Sequence, residues 1–178
     1  RYIKEKIRCR TINISLGVTS GENLKEMYEL CKYLSDCGMV IVSAFDNEGC
    51  YSYPAAFDCV IGVDTNKYVK KMDEFYYVED SPINIIAKGN VQKVVLEDGR
   101  RVFVEGGSIA CAHITSILSN IDSKEYSIAV AMNWLKSRAI SVINAPLRLD
   151  EKSNKNKLFE IKNAVVFPFY KEMHALLR

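Results

Sequence analysis

Glu105-Gly106-Gly107-Ser108-Ile109-Ala110-Cys111-Ala112-His113 is the stretch that decides how this chain is read. Two glycines precede a serine, and the serine opens a run of small and apolar residues predicted to form a buried helix over Ser108–Ser119. Glycines at that point let the backbone turn sharply and bring a side chain close to whatever lies above it. Ser108 is then expected at the helix N-terminus, where unpaired N–H groups and the helix dipole favour negative charge. An acyl-transfer nucleophile needs that electrostatic setting. The plainer reading is a serine N-cap on a core helix. The segment alone leaves both open.

Outward from it, strands and helices alternate, which predicts an α/β fold with a mostly parallel sheet. Thr11–Leu16 is expected as a strand, and Met39–Ala44 and Cys59–Val63 as continuous apolar strands of the buried parallel kind. Leu24–Asp36 carries apolar residues at Leu24, Met27, Leu30, Cys31 and Leu34, the spacing of an amphipathic helix, and Cys37-Gly38 ends it. Asn66 to Pro82 is polar and aromatic without clear periodicity and is expected as a surface excursion. Val91–Leu96 and Arg101–Val104 flank Glu97-Asp98-Gly99-Arg100, a hairpin that leads into the Ser108 turn. Asp122-x-x-Glu125 has the form of a capping box for a helix near Ser123–Ser137. Met132 and Trp134 in that helix are expected to pack.

The segments in this order resemble the subtilisin-like serine peptidase family, the subtilases. Thr11-Ile12-Asn13-Ile14-Ser15-Leu16-Gly17 is similar to a buried strand of that family, and Val40-Ile41-Val42-Ser43-Ala44-Phe45-Asp46-Asn47-Glu48-Gly49 to a second strand and its turn. Tyr53-Pro54-Ala55-Ala56-Phe57-Asp58-Cys59-Val60-Ile61-Gly62-Val63 and Ile83-Asn84-Ile85-Ile86-Ala87-Lys88-Gly89 follow, each similar to a family segment, before the Gly-Gly-Ser motif itself. The resemblance implies a three-layer subtilisin-like fold, incomplete at its N-terminal side. It implies that Ser108 is the nucleophile and Asn47 the side-chain donor of the oxyanion hole. It also implies that Ser15, Leu16 and Gly17, with Ala44, Phe45 and Asp46, line the primary substrate pocket. Gly107 stands where the family usually has Thr, Ala112 and Lys88 stand where it has Pro, and Phe45-Asp46 replaces a small pair.

The family's chain order is Asp, His, Ser. Its Asp and His motifs belong upstream of Thr11–Gly17, and Arg1 to Arg10 contain neither residue type. The expectation is a fragment that lacks both groups and is nearly inert alone, unless they are supplied by another piece of polypeptide. His113 does not replace the base. Five residues beyond Ser108 on one helix is roughly 500° of rotation and about 7.5 Å of rise, so it faces elsewhere. A buried, satisfied histidine is expected there. Nothing ties His174 to the site.

Of 178 residues, 48% are hydrophobic and 26% charged, with a formal net charge of +2. That balance gives no argument for a nucleic-acid or membrane partner. No run approaches the 18 apolar residues of a membrane span and no signal peptide is read, so a cytoplasmic location is expected. The partner expected is a peptide or protein substrate, with no cofactor and no metal. Cys9, Cys31, Cys37, Cys50, Cys59 and Cys111 show neither C-x-x-C nor zinc-like spacing, which leaves buried free thiols or disulfides. Residues 1–149 are expected as the C-terminal part of the peptidase domain and 150–157 as a polar linker. Residues 158–178 are expected as the start of a second domain or extension.

Two other functions fit parts of the pattern. A non-catalytic subtilase-like module would bind peptides or position a neighbouring domain. Gly106-x-Ser108-x-Ala110 with His174 fits an α/β-hydrolase elbow, which leaves the Ser15-Leu16-Gly17 and Asn47-Glu48-Gly49 segments unexplained.

Overall fold

The computed structural model describes residues 9–21 and 23–144. The expected linker and second domain, and His174, lie outside the described residues. The strands are β1 (Thr11–Ile14), β2 (Val40–Ala44), β3 (Ile61–Thr65), β4 (Phe75–Glu79), β5 (Ile85–Ala87), β6 (Gln92–Val95), β7 (Arg101–Val104) and β8 (Ser141–Asn144). The helices are α1 (Leu24–Asp36), α2 (Gly107–Leu118) and α3 (Ile128–Arg138). Six strands form one sheet in the order β1-β2-β3-β5-β4-β8, and β6 and β7 form a separate antiparallel hairpin.

β1, β2, β3 and β5 are parallel, and only β4 runs antiparallel to its neighbour β5. Parallel strands joined by helical crossovers are covered on both faces, and β2 shows it, with all five residues buried. Val40, Val42 and Ala44 face a core shared with Ala110, Cys111, Ile114 and Leu118 of α2 and with Ala131 and Leu135 of α3. Ile41 points the other way, into a second core with Cys31 and Leu34 of α1. The result is a three-layer α/β architecture with α2 against the middle of the sheet. Fully burying a Val, Leu or Ile side chain contributes about 1.5–3 kcal/mol, so these two cores dominate what holds the sheet in place.

α1 begins and ends where its sequence pattern predicts. It closes through Gly38, at φ +82°, with the Gly38 N–H donating to Ser35 O and Met39 N–H to Leu34 O, 2.9 and 3.1 Å. That is the paired carbonyl capping that a left-handed residue permits.

Several expectations are corrected. β1 stops at Ile14 rather than Leu16, and β3 runs Ile61–Thr65 rather than Cys59–Val63. The stretch 66–82 is not all surface excursion, because it carries β4, paired on both sides within the main sheet. Its buried residues, Phe75 and Val78, fall three apart rather than two, so alternation does not reveal the strand. The helix expected near Ser123–Ser137 starts only at Ile128, capped by Ser127, whose Oγ accepts the Val130 N–H at 3.3 Å. The capping-box segment is tied to the start of the sheet instead. Arg10 donates to Ser123 O and stacks over Tyr126, whose hydroxyl meets Thr11 Oγ1 at 2.6 Å. Tertiary contacts override the local helix signal.

Candidate functional site

Three chain segments converge beyond the C-terminal ends of β1 and β2, where ligands bind in open α/β sheets. Ser15-Leu16-Gly17 leaves β1, and an antiparallel bridge between Val18 and Tyr53 holds it, with N···O distances of 2.9 Å in both directions. Phe45 to Gly49 leaves β2, with the Phe45 N–H still donating to Val63 O at 2.8 Å. α2 arrives from the hairpin, its approach fixed by the Gly106 N–H donating to Gly89 O at 2.7 Å.

Gly106 is the N-cap of α2 and has no side chain to cap with. Asn47 performs the task from another segment, its Oδ1 accepting the Gly107 N–H at 2.7 Å. Because the partner is a donor, the carboxamide oxygen must face the helix and the NH₂ group must face away. The packing is close. A Cβ on Gly106 would lie 2.7 Å from Asn47 Oδ1 and 2.9 Å from its Nδ2, and φ is +111°. Only glycine suits both conditions.

Ser108 is therefore the second residue of α2 rather than its cap. Its Oγ donates to Ser15 O at 3.1 Å, and Ser15 Oγ donates back to Ser108 O at 3.1 Å. This reciprocal pair locks the helix start to the end of β1. Asn13 extends it, its Nδ2 donating to Ser15 Oγ at 2.8 Å while its Oδ1 meets Thr115 Oγ1 at 2.9 Å and Cys111 Sγ at 3.2 Å. Among the described residues the Ser108 N–H has no hydrogen-bond partner, as expected for the first turn of a helix. Asn47 and Ser108, sixty-one positions apart, thus meet at one helix terminus, and each offers an uncommitted N–H.

Of the other residues singled out from the sequence, Leu16 is 69% exposed and Ala44 is buried. Phe45 is buried with its ring edge-on to Tyr51, so it presents backbone rather than side chain. Asp46 turns its carboxylate back to accept the Glu48 N–H at 2.9 Å. Asn47 also borders a cleft of about 340 Å³ lined by Thr65, Lys67, Gly89, Asn90, Glu105 and Gly106.

His113 is half-buried rather than buried, and it faces the hairpin, with Nε2 3.1 Å from Gln92 Nε2. The amide donates and the imidazole accepts, which leaves the ring proton on Nδ1. Burial, and then the Lys88 charge, push its pKa below the ordinary value. Cys111, one turn below Ser108, has its thiol pushed up to about 12 by burial, and Cys31 to about 11. Neither is a nucleophile at neutral pH. All six cysteines are free thiols. Among the described residues no group of three or more His, Cys, Asp or Glu is placed to hold a metal ion, and no helix is long and apolar enough to cross a membrane.

The sequence pattern did not mark Asn13, Thr115 or Ser52 as part of this neighbourhood. Asn13 had a signal, an amide in the middle of an apolar strand; Ser52, between two tyrosines, had none.

No family model matches the chain, and no curated protein matches it. Solved structures do. Sphericase superposes with a TM-score of 0.59 at 21% identity, over 72% of this chain and 48% of that one. A second structure, S41 Psychrophilic Protease, gives 0.58 at 22% identity, over 74% and 51%. The chain spans about half the length of these structures. Identity at that level establishes architecture, and the architecture of the described residues is the subtilisin-like α/β fold.

Proposed function

We propose that this chain carries the nucleophile and the oxyanion-binding groups of a subtilase-type serine endopeptidase. Ser108 Oγ attacks the carbonyl carbon of a peptide bond, and the carbonyl oxygen becomes negative. Asn47 Nδ2–H and the Ser108 N–H donate to that oxygen, with the positive end of α2 behind them. The C–N bond breaks, the amine leaves with the proton taken from Ser108, and water hydrolyses the remaining ester. An extended substrate pairs as an added strand between Ser15–Gly17 and Ala44–Asp46. The proton acceptor is a histidine oriented by an aspartate, both supplied by polypeptide outside these residues, so these residues by themselves are nearly inert.

The observation that supports this reading most is the 2.7 Å hydrogen bond from Gly107 N–H to Asn47 Oδ1. It spends the acceptor end of the amide on the helix and leaves the donor end for a ligand. A second reading, a non-catalytic peptide-binding module, is favoured by the Ser108 hydroxyl being engaged with Ser15 O and by no base beside it among the described residues.

A fluorophosphonate probe on the full-length gene product separates the two. Labelling of wild type that is lost in Ser108→Ala is the outcome expected of the peptidase. Peptide binding with no labelling of either protein would establish the module.

A further inference from the structure

We infer that Asn13 is a positioning residue of the site: it sets the register of α2 along β1 and, through Ser15, holds the backbone of Ser108 in place. This rests on the peptidase reading above, in which Ser108 is the nucleophile and its N–H one of the oxyanion donors.

Strand alternation gives the two faces of this segment different partners. Ile12 and Ile14 pack against the second core, that of Cys31, Leu34 and Ile41. Thr11, Asn13 and Ser15 turn the other way, and each meets a polar group: the Tyr126 hydroxyl, the Cys111 and Thr115 side chains, and Ser108. On α2 the residues met are Ser108, Cys111 and Thr115, three and four positions apart and so on one stripe of the helix. Apolar contact through Ala110, Ile114 and Leu118 holds the rest of α2, and such contact is non-directional. The hydrogen bonds along the polar stripe are what give the helix a register on β1.

Asn13 is the member that joins both ends of that stripe. Its Oδ1 accepts the Thr115 hydroxyl at 2.9 Å and the Cys111 thiol at 3.2 Å, and its Nδ2 donates to Ser15 Oγ at 2.8 Å. The direction of the last bond matters. Ser108 O can only accept, so the one proton of the Ser15 hydroxyl lies on the 3.1 Å bond between them. Ser15 Oγ then has only acceptor capacity left, and the nitrogen end of the Asn13 amide fills it. Residue 108 is held from both sides as a result. Asn47 accepts the N–H just before it, at Gly107, and Ser15 donates to its own carbonyl. The Ser108 N–H lies between those two anchors, so its aim depends on both. Asn47 acts at the site directly, whereas Asn13 acts through Ser15.

The test is fluorophosphonate labelling of the full-length gene product, with the maximal rate and the half-saturating concentration measured separately. The proteins are wild type, Asn13→Asp, Ser15→Ala and the double variant. Asn13→Asp keeps the size of the side chain and its bonds from α2, but puts an acceptor where Ser15 needs a donor. The Ser15 proton then turns to the carboxylate and leaves Ser108 O. The maximal rate should fall about tenfold to a hundredfold, the scale for a misplaced reacting group, with the half-saturating concentration changed less than about twofold. In the Ser15→Ala background the same substitution should cost nothing further. A lower melting temperature with an unchanged rate in the folded protein would overturn the inference and leave the peptidase standing. Equal losses with and without the Ser15 hydroxyl would also overturn it. Should Asn13→Asp not fold, Thr115→Val decides. It removes one of the donors that orient the amide and should slow labelling, and a wild-type rate would overturn the inference. Absence of labelling in wild type would overturn the peptidase reading and this one with it.

Discussion

Two of the described helices have a serine at their N-terminal end, and they use it in opposite ways. At α3, Ser127 stands outside the helix and accepts the Val130 N–H, so its oxygen is spent on the backbone of its own segment. At α2, Ser108 stands one residue inside, and a side chain from the turn after β2 accepts the Gly107 N–H. Capping is delegated to Asn47, and Ser108 is relieved of it. Under the proposed function, what separates a structural serine from a reactive one is therefore not its place near a helix N-terminus. It is whether another group has already satisfied the helix.

The comparison breaks most sharply at the hydroxyl. Ser108→Ala should abolish fluorophosphonate labelling of the full-length protein while changing stability by less than about 1 kcal/mol, since it removes one bond to Ser15 O at a half-exposed position. Retained labelling would move the reactive serine elsewhere. Asn47→Ala comes next. Labelling and turnover should fall about 10²–10³-fold, a magnitude taken from subtilisin itself, and thermal stability should fall by about 1 kcal/mol as α2 loses its cap. A loss of stability without a loss of rate would reduce Asn47 to a cap like Ser127.

Gly106→Ala tests the close approach that makes delegation possible. A Cβ there would meet the Asn47 amide at under 3 Å with φ at +111°, so a loss of about 1–3 kcal/mol is expected in chemical denaturation. Ser127→Ala should cost about 1 kcal/mol and leave labelling untouched, the counterpart of the first experiment.

The smallest effect concerns His113. Its folded pKa is lowered by burial and by Lys88, so the unfolded chain takes up the proton first. Its contribution to stability is full above the unfolded value of about 6.5 and is lost as pH falls through it toward the folded value. Denaturation midpoints measured across that window should fall in wild type and flatten in His113→Gln. An unchanged slope would show that the ring is not held neutral by its surroundings.

The legible parts of the fold were those with short-range causes. α1 has its apolar stripe and its terminal Gly38, and both of its ends fall where the pattern puts them. β2 is an uninterrupted apolar run because it is covered on both faces. The hairpin of β6 and β7 follows from Asp98-Gly99, and the meeting of Asn47 with the start of α2 followed from the family resemblance. The illegible parts were set by distant partners. β4 exists because β5 and β8 pair with it, and its alternation is too poor to announce it. Residues 122–126 carry a helix-start signal that Arg10 and Thr11 defeat from over a hundred positions away. Ser52 looks like any small polar residue until Gly17 and Asp46 are seen on either side of it.

Delegated capping ties chemistry to thermal fraying. Terminal helical turns open at far lower free energy than a buried sheet, and the first turn of α2 is held at Gly107 by an amide from a surface turn rather than by its own chain. Each excursion that unwinds that turn also disperses the donors around position 108, while the strands beneath stay intact. Under the proposed function, warming should thus weaken fluorophosphonate labelling of the full-length protein at temperatures where the secondary structure still looks whole.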